Sequence, residues 1–176
     1  MSIGYILIGL PGSGKSYWSL NKIKTESNLV CICRDKIREM LKVDYLYWPF
    51  FTKDSKKYTK LETTIADYTL DLSLQKGFDV IIDSTHIIKR TRKNTVDKLR
   101  KYDCDIRYVW FTENQNNLQY RLETPKNESL DLNYWEKVIS SMKNRFEEPN
   151  LDEIKSFKIN KFYKVSREHG EIEITI

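Results

Sequence analysis

An apolar run, "YILIGL" (Tyr5 to Leu10), passes directly into "GLPGSGKS" (Gly9 to Ser16), and that junction leaves the chain few folds to choose from. The second stretch satisfies G-x-x-x-x-G-K-[ST] at every fixed position. Glycines at this spacing let backbone N–H groups close around phosphate oxygens at a helix N-terminus. The motif therefore needs a strand behind it and a helix ahead, and "SYWSLNKIKTE" supplies the helical pattern. On this reading Gly9, Pro11, Gly12, Ser13, Gly14, Lys15 and Ser16 line the phosphates of ATP or another NTP, with Lys15 bridging the outer phosphates and Ser16 holding Mg2+.

The rest of the chain continues the alternation. "LVCIC" and "FDVIID" read as short buried strands, "RDKIREMLK" as a helix start, Ile88 to Tyr102 as a basic helix and "IRYVWFT" as a fourth strand. Apolar residues at Tyr58, Leu61, Ile65, Tyr68 and Leu72 recur at three and four, which predicts a helix with that face buried. A polar helix near Asn114 to Glu123, a helix from about Leu132 to Phe146 and a terminal strand pair turning at "EHGE" complete the pattern. Strands alternating with helices predict an α/β fold, a mostly parallel sheet with helices on both faces. At 176 residues, with no linker or internal repeat, the expectation is a single domain over 1–176.

Composition excludes some classes. Cys31, Cys33 and Cys104 form no CxxC pair and have no nearby histidine to complete a zinc site, so they read as reduced residues of a cytoplasmic protein. No apolar run approaches the ~18 residues of a membrane span. The net charge is +5, and the bases gather in "KDSKKYTK" and "KRTRKNTVDKLRK". Such runs are either solvated helix faces or a surface for a polyanion.

Two further stretches carry candidate chemistry. "DVIID" ends in Asp83, a carboxylate that a neighbouring parallel strand would present beside the glycine loop, either toward its magnesium or as a strand-end cap. The second strand ends in "CRDKIREM", which places Arg34 and Asp35 at the carboxyl edge of the sheet, where open α/β folds bind ligands. Asp35 there is positioned to accept a proton from an attacking hydroxyl, with Arg38 one turn on to grip an anion. A plain helix N-cap with an exposed neighbour satisfies the same residues.

Taken together, "GLPGSGKS", "RDxxR", "DVIIDST" leading into a basic helix, and "SMKNRFEEP" resemble the kinase domain of the phage polynucleotide 5′-hydroxyl kinase family, over about Ile3 to Pro149. The resemblance implies a P-loop NTPase-type fold with a helical lid (about 113–131), ATP and Mg2+ as cofactors, and 5′-OH ends of DNA or RNA as the acceptor, with no membrane association. It also implies host cytoplasm as the compartment if the chain is phage-encoded. Asp35 then inherits the role of general base, Arg38 that of binding the acceptor phosphate, and Arg121 that of the lid arginine over the triphosphate. Where the family carries a second lid arginine the chain has Pro125, followed by Lys126 as the alternative cation.

His86 stands where many relatives show Asn, and "YLYWPFF" is placed either to stack on a base or to pack in the core. No DxDGT phosphatase signature and no lysine-nucleophile ligase motif is present, which suggests a stand-alone kinase. Two other functions stay open at this point. One is a P-loop kinase for a nucleoside, nucleoside monophosphate or sugar; the other is a nucleotide-binding module without transfer activity.

Overall fold

The computed structural model describes residues 1–41, 53–112, 132–166 and 170–175, and for 53–55 and 132–135 the backbone alone. In chain order the elements are β1 (Ile3–Ile8), α1 (Lys15–Thr25), β2 (Leu29–Cys33), α2 (Arg34–Met40), α3 (Lys53–Gln75), β3 (Asp79–Asp83), α4 (Lys89–Arg100), β4 (Asp105–Phe111), α5 (Leu132–Asn144), α6 (Leu151–Ser156), β5 (Lys161–Ser166) and β6 (Gly170–Ile174). The strands form one six-stranded sheet in the order β2-β3-β1-β4-β5-β6. Every pairing is parallel except β5 with β6.

The sheet splits the core in two because side chains alternate along each strand. Ile6 and Ile8 of β1 join Ile32, Val80, Ile106 and Tyr108 on the face covered by Leu70 and Leu74 of α3, Val96 and Leu99 of α4, and Ile154 of α6. Tyr5 and Leu7 turn the other way, toward Ile81, Val109, Phe111 and Trp18 of α1. Burial on both faces explains why β1 reads as an unbroken apolar run rather than an alternating one.

Helix α3 corrects one expectation. Tyr58, Leu61, Tyr68 and Leu72 are exposed, whereas Glu62, Leu70, Ser73 and Leu74 are buried. The three-and-four spacing predicted the helix but not its rotation. The helix turns inward a face that combines Leu70 and Leu74 with the polar Glu62 and Ser73, and Glu62 is accommodated because it is ion-paired.

The terminal strands pair as expected. Short helix α6, which the periodicity did not predict, starts at Asn150, whose side-chain Oδ1 accepts from the N–H of Glu153 at 2.9 Å. The expected helix near Asn114 to Glu123, the "YLYWPFF" stretch, the lid with Arg121 and Lys126, and Glu168 and His169 of the "EHGE" turn lie outside the described residues.

Candidate functional site

The loop after β1 is built by left-handed glycines. Gly12 and Gly14 have φ of 82° and 98°, and Gly14 is the N-cap of α1. Gly9 has φ of 155°, and a Cβ there would lie 2.7 Å from Ser13 Oγ and 3.0 Å from the carbonyl oxygen of Phe111. Its N–H donates to the carbonyl of Thr85 at 2.9 Å, which ties the loop to the end of β3.

Lys15 opens α1 and is buried; its ammonium donates to the carbonyl of Leu10 at 2.6 Å and to Ser13 Oγ at 3.2 Å. Asp83, the last residue of β3, is also buried. Burial pushes its carboxyl above the ordinary carboxylate range, while the Lys15 charge and a hydrogen bond with the Ser16 side chain oppose that rise. Asp35 lies close enough to add to the rise. The ends of β1, β3 and β2 thus bring Lys15, Ser16, Asp83 and Asp35 to one edge.

A buried carboxylate sharing a hydrogen bond with a hydroxyl is a suitable donor set for a small hard cation, and Ser16 and Asp83 are the residues that would hold Mg2+. Among the described residues no group of three or more His, Cys, Asp or Glu gathers as a metal site. Cys31 is pushed up to about 12, chiefly by burial, and Cys33 is raised for the same reason, so neither thiol supplies a nucleophile at neutral pH.

At the acceptor end, α2 starts directly from β2. Its N-cap position is Cys33, not Asp35, and Asp35 lies within the first turn. The simple capping role thus falls away. Asp35 is 59% exposed and accepts from Arg38 Nη1 at 2.7 Å. Arg38 is held from behind by Glu62 of α3, Nε to Oε2 at 2.7 Å and Nη2 to Oε1 at 3.2 Å. Arg34 also donates to Glu62, and its Nη2 reaches Thr63 Oγ1 at 2.8 Å.

Sequence reasoning missed Glu62. The only signal for it was a charged residue interrupting the apolar pattern of α3, which the wrong helix rotation concealed.

The basic helix α4 is largely committed within the fold. Arg92 is buried against Glu153, Lys93 pairs with Asp97 and Lys98 with Asp67, both at 2.5 Å, and Arg100 donates to the carbonyl of Phe157. His86, at φ of 43°, is buried just behind the loop. Its Nδ1 is 2.8 Å from the carbonyl oxygen of Leu7 and its Nε2 is 3.1 Å from Thr95 Oγ1. Because a carbonyl only accepts, the proton sits on Nδ1, and Nε2 lies beside the Thr95 hydroxyl, which also reaches the carbonyl of Thr91 at 3.2 Å. The residue joins the end of β1 to α4.

The family model AAA_33, an AAA domain, matches residues 5–149. The chain belongs to this AAA domain family. It shares the family's P-loop kinase fold, with the loop at Gly9 to Ser16 and the parallel sheet both inside the matched span. A chain of the Pnkp1/Rnl/Hen1 complex is 28% identical to this AAA domain protein, over 74% of this chain and 41% of that one, with a TM-score of 0.57. A chain of the Pnkp1/Rnl/Hen1 RNA repair complex is 27% identical over 83% and 46%, with a TM-score of 0.62. The chain therefore spans less than half the length of either. A chain of the PezAT chromosomal toxin–antitoxin system of Streptococcus pneumoniae, 16% identical over 98% and 70% at a TM-score of 0.64, shares the fold. Among the described residues no helix is long and apolar enough to cross a membrane.

Proposed function

We propose that this chain is an ATP-dependent polynucleotide 5′-hydroxyl kinase. The observation that carries the reading is the meeting of a P-loop, Asp83 and the Asp35–Arg38 pair at the ends of three adjacent strands, in a chain 27–28% identical to chains of Pnkp1/Rnl/Hen1 assemblies. Asp35 accepts the proton of the 5′-hydroxyl as its oxygen attacks the γ-phosphorus, and ADP departs in line. Arg38 grips the phosphate next to that 5′ end. Lys15 leaves its contacts with Leu10 and Ser13 for the β- and γ-phosphates, the ordinary role of a P-loop lysine. Ser16 and Asp83 are the residues that would hold Mg2+, which would supply charge neutralisation at the phosphates. In this reading Arg121 adds the lid cation that balances charge on the transferring group, with Lys126 contributing to ATP affinity.

A transfer assay with ATP and Mg2+ tests this, offering 5′-OH DNA, 5′-OH RNA, nucleoside 3′-monophosphates, nucleosides and nucleoside 5′-monophosphates side by side. The 5′-OH oligonucleotides are expected to be the best acceptors, and the nucleoside 3′-monophosphate better than the bare nucleoside. Efficient use of nucleosides or 5′-monophosphates with inert oligonucleotides would replace this reading with that of a small-molecule kinase. Binding of ATP with no transfer to any acceptor would leave only a nucleotide-binding module.

A further inference from the structure

Among the described residues, Arg34, Arg38, Asp35 and Glu62 are joined by ion pairs as two cations and two anions, so the charges within this set balance. The two carboxylates are not equivalent. Glu62 is 3% exposed, lies in the middle of α3 and accepts from both arginines. Asp35 is 59% exposed and, of this set, bonds only Arg38. Glu62 cannot leave without stranding a buried charge, whereas Asp35 can turn to solvent at little cost.

The directions of the bonds matter as much as their number. Glu62 takes Arg38 along its Nε and Nη2 edge, a two-point grip that fixes the plane of the guanidinium. What remains for an anion is the end of the group at Nη1, where Asp35 already sits at 2.7 Å. A phosphate arriving there and the Asp35 carboxylate would be two anions on one nitrogen.

We infer that Glu62 is a positioning residue that holds Arg38 edge-on, so that the acceptor's phosphate displaces Asp35 from Nη1 and frees it as a base only when an acceptor is seated. The inference rests on the acceptor role proposed for Arg38. It adds that Asp35 and the acceptor phosphate compete for one guanidinium, and that Glu62 decides the terms. With the site empty, Asp35 is neutralised by Arg38. With a phosphate-bearing acceptor bound, the same arginine serves the phosphate and the carboxylate turns to the hydroxyl. A bare nucleoside occupies the site without releasing the base.

Calorimetric binding of a 5′-deoxynucleoside 3′-monophosphate, which offers the Asp35 carboxylate no hydroxyl to turn to, and of the matching 5′-deoxynucleoside, to wild type, Asp35→Ala and Glu62→Gln, tests the competition without depending on turnover. Asp35→Ala removes the competitor and is expected to tighten the 3′-monophosphate by about two- to fivefold, the scale of an exposed ion pair. Its affinity for the nucleoside should stay the same. Glu62→Gln turns an amide toward the arginines, and is expected to weaken the 3′-monophosphate by about tenfold while leaving nucleoside and ATP within twofold.

Unchanged or weaker 3′-monophosphate binding in Asp35→Ala overturns the competition. A Glu62→Gln protein that melts lower yet keeps the wild-type preference for the 3′-phosphate reduces Glu62 to a strut between α2 and α3. If both binding shifts appear but wild type transfers nothing to 5′-OH ends, the polynucleotide reading fails while the competition stands for another phosphate-bearing acceptor.

Discussion

The guanidinium of Arg92 is clasped by the carboxylate of Glu153 through two parallel hydrogen bonds, Nε to Oε1 at 2.6 Å and Nη2 to Oε2 at 2.7 Å, at 0% and 1% exposure. Arg92 also donates through Nη1 to the carbonyl of His86 at 2.9 Å, so the pair fixes α6 to the segment behind the phosphate loop. Glu153→Ala leaves a buried guanidinium without its counter-charge and is expected to cost about 3–5 kcal/mol. Replacing both residues by leucine should recover much of that loss, because the desolvation cost of the pair goes with it. Urea denaturation of the single and double variants checks both statements; equal loss in the two would mean that packing rather than charge is what the pair supplies.

Burial holds the His86 imidazole down to about 4, with hydrogen bonding to the Leu7 and Ser84 backbone opposing the shift and the Arg92 and Lys15 charges reinforcing it. The folded chain keeps the ring neutral while the unfolded chain protonates it near the ordinary ~6.5. Stability is therefore fully present above about 6.5 and falls as the pH drops from there toward about 4, by roughly 3 kcal/mol in all. His86→Asn, which tolerates the left-handed backbone, should flatten the melting temperature across that window. A slope unchanged in the variant would assign the acid sensitivity to other groups.

Gly9→Ala places a methyl group against Ser13 Oγ and the Phe111 carbonyl at a φ that side chains avoid. The carbonyl belongs to β4 and cannot retreat, so the loop must. Nucleotide affinity is expected to fall by tenfold or more, about 1.4 kcal/mol at the least, with the circular dichroism spectrum unchanged. Titration with a fluorescent ATP analogue reads this directly.

Asp35→Asn retains the shape of the side chain and an oxygen that accepts from Arg38, but no longer takes up a proton. ATP binding and melting temperature should match wild type, since the residue is more than half exposed, while turnover falls by ~10²–10⁴. Near-normal turnover would remove the base role.

The strand–loop–helix unit, the parallel sheet and the placement of Asp35 and Arg38 on one short helix were legible in the sequence because each follows from local spacing. What was not legible depended on contacts between segments far apart in the chain. Spacing located α3 but could not orient it, and Glu62, whose burial is permitted by Arg34 and Arg38 some 24 to 28 positions earlier, went unseen. Arg92 looked like one more base of a solvated run until Glu153, 61 positions later, turned it inward. Helix α6 was missed because it is a six-residue element marked mainly by the Asn150 cap.

One strand, β3, lies between β1 and β2. Adjacent strands run about 4.8 Å apart, so the roots of the phosphate loop and of α2 stand about 10 Å from one another whatever side chains they carry. The reach between giver and taker is thus written in the backbone ladder, and changes in α2 or α3 leave it untouched. Those two helices also lean on each other through Arg34, Arg38 and Glu62, which are not members of the nucleotide loop. On the function proposed above, a lineage built on this sheet can remodel its acceptor in one half of the molecule while the half that carries the phosphate loop goes on unaltered.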